Sequence, residues 1–445
     1  MKRIFTRFSA LIATACVVVL LASAPARAVE VERVVSAGGI EAWLIRDPSN
    51  PITTMKLSFR GGTALDPDGK GGLANFVAST LDEGAGDMDS AAFQEALDER
   101  SISLRFSAGR DTFRGSLKTL NKYRDDAFEY LRLALNEPRF DAEPLTRMRA
   151  QILSGIKQQN EDPGNLASRA IFETAFEGHP YARDNDGTAE SVSAITPEDM
   201  RRFVRQRLAK NNLLIGVVGD IDAETLKGYL DRAFGSLPEK ASPWQVEKIT
   251  PKLSGSVKVI DVDVPQSSIQ FAQPGILRND PDFYTAYVLN YVIGGGGFVS
   301  RLYEEVREKR GLAYSVYTYL MPLDAAGAVM GGAGTANARV AETVATVREV
   351  WKRFAAEGPT AAELKDAKTY LTGAFPMRFT SSSAIAGMLV GMQEEGLGID
   401  YIDKRNGYIE AVTLEDARRV AQRLYQPDKL TFAIAGKPEG ISSVN

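Results

Sequence analysis

TPEDMRRFVRQRLAKNNLLIGVVGD, residues 196–220, returns in altered form as TLEDARRVAQRLYQPDKLTFAIAGK, residues 413–437. Thr196, Glu198, Asp199, Arg201 and Arg202 stand 217 positions before Thr413, Glu415, Asp416, Arg418 and Arg419. Leu213 and Gly219 keep the same interval from Leu430 and Gly436. Each copy reads as a helix with a threonine cap and an acidic first turn, followed by an apolar strand that ends at glycine. A period this long marks a duplicated domain, not a solenoid. Between the copies, SLPEKASPWQVEKITPKLSGS (236–256) is polar, holds three prolines and shows no apolar periodicity. The linker is placed there at 241–255, with domains at 29–240 and 256–445.

Outward from the repeat, each half mixes strands and helices. GIEAWLIRD and TTMKLSFRGG read as strands, residues 72–82 and 90–99 as helices, and SISLRFSAGRDTFRGSLKTL as an alternating strand pair. Long helical patterns follow through YRDDAFEYLRLAL and PLTRMRAQILSGIKQQ. The second half opens with strands in SVKVIDVDVPQSSIQFAQPG and has another pair near 314–335. Strands grouped in hairpin-like runs, with helices after them, give an α+β expectation: two homologous domains, each a mostly antiparallel sheet with helices packed on one face.

The first 28 residues read differently. Lys2, Arg3 and Arg7 precede the apolar run ALIATACVVVLLASA, and Ala26 and Ala28 form an A-x-A cleavage pattern. That order is a secretory signal peptide and implies a periplasmic or secreted protein. The apolar run, about 15 residues, falls short of a membrane span, so no stable membrane insertion is expected. Of 53 basic residues four lie in this leader, leaving 49 against 57 acidic ones and a net charge of −8. An acidic chain without a basic stripe is a poor nucleic-acid binder. The single cysteine, Cys16, leaves with the leader, which excludes disulfides and thiolate chemistry from the mature chain.

The segment R-G-G-x-x-x-D-x-x-x-x-x-G-L-A-x-F at 60–76, the G-H-P-Y at 178–181 and the repeat together resemble the pitrilysin/insulinase family of inverted-zincin peptidases. The resemblance spans nearly the whole mature chain. Active members carry H-x-x-E-H on the helix that here reads GGLANFVASTLDEG (71–84). Residues four apart share a helical face, so two imidazoles hold one Zn²⁺ while the glutamate serves as base. In this chain the two histidines become Asn75 and Ser79 and the glutamate becomes Ala78, while the family's third ligand falls at Gly155. Catalytic zinc takes three nitrogen, oxygen or sulfur ligands from the protein, and this set supplies none of the usual kind. The chain has one histidine, His179, so a two-histidine site is impossible anywhere within it. No metal or cofactor is therefore expected in this chain. His179 itself is read as a loop histidine bonded to backbone, and Asp82, Glu83, Asp87 and Asp89 as a solvated acidic loop without EF-hand spacing.

The second half keeps what the first has lost. YVIGGGGFVSRLYEEVREKRGLAYSVYTYL (291–320) shows helical apolar spacing at Phe298, Leu302, Tyr303 and Val306, then strand-like alternation. Arg307 and Tyr314, seven residues apart in an R-E-K-R-G-L-A-Y context, match a family pair. The resemblance implies that the arginine contacts substrate backbone and the tyrosine hydroxyl stabilises the oxyanion, both facing a zinc site across a chamber. Arg307 and Tyr314 are thus the candidate catalytic and substrate-binding residues, acting in trans. The implied partner is a homologous H-x-x-E-H subunit that holds the zinc, forming a heterodimer that acts on peptides. The rival expectation is a non-catalytic peptide-binding or scaffold protein of the same fold; an independent hydrolase with rearranged ligands fits the histidine count worst.

Overall fold

A computed structural model describes residues 30–444, so the expected leader lies outside the described residues. The first half forms a six-stranded sheet from β1 (Glu32–Val35), β2 (Glu41–Arg46), β3 (Ile52–Arg60), β4 (Ser103–Ala108), β5 (Thr112–Leu120) and β6 (Leu213–Gly219), in the order β1-β2-β6-β3-β5-β4. The second half forms a five-stranded sheet from β7 (Val257–Asp261), β8 (Gln266–Pro274), β9 (Ala313–Pro322), β10 (Gly327–Ala336) and β11 (Thr431–Gly436), in the order β7-β11-β8-β10-β9. Each sheet is antiparallel apart from one parallel pair, β2–β6 in the first and β7–β11 in the second.

The duplication is visible in these pairings. The repeated strands β6 and β11 each lie between one parallel and one antiparallel neighbour. Each follows a helix whose cap is the expected threonine: Thr196 accepts from the Asp199 amide, and Thr413 from the Asp416 amide. Each strand closes on a glycine at nearly the same dihedral, Gly219 at φ 152° and Gly436 at φ 153°.

Helices cover one face of each sheet with a main core. Val217, Leu44 and Leu57 lie in the first core, and Phe271, Phe432 and Trp351 in the second. The expectation of helices on one face only is incomplete. Helix Ser382–Glu394 of the second half crosses to the opposite face of the first sheet, where Ala386, Leu389 and Met392 bury Trp43, Ile45 and Val218. In return, helix Pro163–Ala175 of the first half covers the second sheet, with Ala167, Ala170 and Ile171 against Ala272, Met330, Ala433 and Ala435. Close approach fixes the first exchange: a Cβ on Gly216 of β6 would lie 2.6 Å from the Ala386 carbonyl. Apolar residues on both faces of β6 and β11 thus have a physical reason, since each strand is covered on both sides.

The connection 241–255 has neither helix nor strand, yet it is held at several points. Ile249 donates to the Ala325 carbonyl, Lys252 to the Ala175 carbonyl, and Leu253 is buried beside the exchanged helix. Among the described residues no helix is long and apolar enough to cross a membrane.

Candidate functional site

The family-type helix is short, spanning Leu73–Ala78 instead of the expected 72–82. The Ser79 hydroxyl turns back to the Asn75 carbonyl and the Thr80 hydroxyl to the Phe76 carbonyl, and turns follow. Asp66, the aspartate of the R-G-G-x-x-x-D segment, holds the helix start by accepting from the Gly72 and Ala74 amides at 2.9 and 3.0 Å. Burial pushes its carboxyl up to about 7 in spite of those bonds.

Around this helix the four substituted positions do not make a zinc site. Asn75 Nδ2 donates to Asp186 at 2.7 Å, and Gln159 Nε2 donates to the other oxygen of the same carboxylate at 2.6 Å. One carboxylate is therefore clamped between two amides, joining helix Ala142–Glu161 to the first helix by hydrogen bonds. Ala78 is buried in the main core, and the Ser79 hydroxyl is spent on backbone. Gly155 presents only a hydrogen, and beyond its own helix nothing lies within 4 Å of where a Cβ would stand. Among the described residues no group of three histidine, cysteine or carboxylate side chains is placed to hold a metal.

The acidic loop residues have structural work. Asp82 pairs with Arg105, Glu83 with Arg147, and Asp89 caps helix Ser90–Glu99. His179 is buried: its Nδ1 accepts from the Tyr181 amide at 3.1 Å, so Nε2 carries the proton and donates to the Glu247 carbonyl at 2.8 Å. Both ring nitrogens are committed to backbone.

The retained pair is built by a tight reversal. Residues Tyr303–Glu308 form a π-helical segment, with the Lys309 amide bonded to the Glu304 carbonyl at 2.9 Å. Gly311, at φ 59°, turns the chain into β9, the edge strand of the second sheet. This returns Tyr314 to Arg307. The guanidinium carbon lies 4.8 Å from the Tyr314 ring centre and 4.9 Å from that of Tyr303, whose hydroxyl accepts from Arg307 Nη1. Arg307 thus lies within cation–π distance of two aromatic rings. Tyr314 is 82% exposed. Among the described residues its hydroxyl has no hydrogen-bond partner and Arg307 has no carboxylate within ion-pair distance.

Tyr303, which the sequence reading named only as part of the helical apolar spacing, is the positioning residue for Arg307. Its place four before Arg307, one helical turn away, was the available signal. Phe298 departs from the expected helical face. It lies in the single turn Gly297–Val299, exposed, in a T-shaped contact with the Tyr303 ring at 4.9 Å between centres. Gly297 at φ 58° interrupts the helical path before Ser300, so the apolar spacing at 298 has no helix to act on.

Residues 42–188 match the family model described as Insulinase (Peptidase family M16), and residues 194–371 match the one described as Peptidase M16 inactive domain. The chain belongs to the M16 insulinase family. The "Non-peptidase homolog YmxG" of Helicobacter pylori (strain ATCC 700392 / 26695) is 28% identical over 385 residues, covering 86% of this chain and 89% of that one. The crystal structure of a peptidase M16 inactive domain from Pseudomonas fluorescens matches with a TM-score of 0.86 at 29% identity, covering 94% of this chain and 100% of that one. A "probable mitochondrial-processing peptidase subunit beta" of Schizosaccharomyces pombe is 22% identical over 417 residues, covering 89% of each chain. This M16 chain has the α+β, two-sheet fold of the inactive type and lacks the zinc motif.

Proposed function

We propose that this chain is the zinc-free subunit of a heteromeric zinc peptidase of the insulinase type, exported to the periplasm or beyond and degrading peptides. A homologous H-x-x-E-H subunit brings the zinc and its bound water. This chain contributes hydrogen-bond donors to the wall opposite. The observation that carries the reading is the open state of the pair: among the described residues the phenol hydroxyl has no hydrogen-bond partner, and it stands beside a cation bonded to the Tyr303 hydroxyl but neutralised by no carboxylate. Donors with hydrogen-bonding capacity left over are suited to charge that develops only during reaction. Arg307 is held by two rings, so it can meet a peptide carbonyl without first losing side-chain freedom.

Supporting the partnership, the relatives include both a non-peptidase homologue and a processing-peptidase subunit. The test is reconstitution with an H-x-x-E-H homologue encoded by the same organism. The two chains are expected to co-elute with one zinc per pair and to release peptides that neither produces at that rate alone. Separate elution, or full activity of the homologue by itself, would leave this chain as a scaffold.

A further inference from the structure

A second site lies behind the crossover helix, away from the degenerate zinc positions. A cleft of about 540 Å³ opens between helix Ser382–Glu394, the turn Phe375–Phe379 and helix Tyr401–Glu410. Its size is that of small-molecule sites. Phe375, Met388, Met392 and Leu397 supply apolar wall, and the methionines can adapt to an irregular guest.

Two arginines, Arg378 and Arg405, also line it. Arg405 is only 5% exposed, yet among the described residues no carboxylate lies within ion-pair distance of it. Its Nη1 donates to the Leu371 carbonyl at 3.0 Å and to Asn406 at 2.9 Å, and its guanidinium carbon sits 4.3 Å from the Phe375 ring centre. The carbonyl belongs to the last turn of helix Ala361–Gly373, which offsets part of the charge. Nε and Nη2 make no hydrogen bond among the described residues, and neither is sealed from solvent. Arg378, at the mouth, has no ion-pair partner among the described residues. The acid at the rim, Glu395, is already held by Arg278 at 2.5 Å. A buried guanidinium without a counter-ion is costly, and its free edge matches a carboxylate in two-point contact.

We propose that this cleft binds a small carboxylate on an apolar body, the acid group between Arg405 and Arg378 and the body against Met388, Met392 and Leu397. Acyl-chain acids and free C-termini of apolar residues share that chemistry. The proposal rests on none of the peptidase argument. Because the walls come from the crossover helix and from the helices flanking it, an occupant ties the exchanged arm to its own half.

The test is methyl NMR of the purified chain with labelled methionine, titrated with octanoate, with N-acetyl-leucine and with octanol as the uncharged control. The Met388 and Met392 signals are expected to shift saturably with at least one acid and not with octanol. Whichever acid saturates identifies the source. Arg378→Ala, an exposed change, should weaken binding about tenfold. Ala384→Trp, which fills the mouth, should remove it while the other methionine signals stay in place. No saturation by either acid, an equal response to octanol, or unchanged affinity in either variant overturns the proposal.

Discussion

Arg307 and Tyr314 were singled out in the sequence by the family resemblance, and what the structure adds is their contact, made within seven positions of one turn and strand start. The residue that positions the arginine, Tyr303, read only as one of the apolar positions of a helix; it is buried on one side, with its hydroxyl turned to the arginine. The clamp on Asp186 was illegible for a different reason: Asn75 reaches it across 111 positions, and no local pattern encodes such a contact. The substituted zinc positions now differ physically from one another. Ala78 is 3% exposed in a close-packed core, whereas Gly155 faces open space within a helix. Ala78→Glu is therefore expected to destabilise the chain by about 2–3 kcal/mol, through a carboxyl forced into apolar packing. Gly155→Glu should be neutral or stabilise by up to about 1 kcal/mol, because it replaces glycine in a helix. Urea denaturation of the two variants measures both, and a neutral Ala78→Glu would contradict the packing described here.

Hairpins and long amphipathic helices follow from alternation and period, so those elements could be placed from sequence alone. The exchange of Ser382–Glu394 and Pro163–Ala175 between the halves could not, because an apolar face shows that a helix is buried and not which sheet buries it. Helix length at Leu73–Ala78 was overestimated for a similarly local reason, since hydroxyls at 79 and 80 compete for the carbonyls of the last turn. The element carrying Arg307 has its own anchor. Glu305 accepts from Arg310, Lys309 and Arg353, and these bonds, Arg310's first, hold its carboxyl down at about 2. Its unfolded value of 4.5 is higher, so the contribution is complete above that pH and fades as pH falls toward 2. Wild type should thus exceed Glu305→Gln in stability at neutral pH, with the difference shrinking between about pH 5 and about pH 3 in parallel denaturation curves. A pH-independent difference would show that the network does not depend on the Glu305 charge.

The molecule as a whole is a duplicated pair of sheets, each closed by a helix borrowed from the other half. In one half Asn75 and Gln159 clamp the Asp186 carboxylate. The other sets the Arg307 cation, on a π-helical segment, beside the exposed Tyr314 phenol at the start of an edge strand. In the proposed assembly the two activities of an M16 site are divided between chains, so removing the phenol should slow turnover without loosening the complex. The decisive measurement is steady-state peptide hydrolysis by the reconstituted pair with Tyr314→Phe in this chain and the zinc subunit unchanged. A fall in kcat of about 100-fold, with KM and zinc content held, is the predicted result. Turnover equal to wild type would contradict the account, because Tyr314 would then have no part in the reaction.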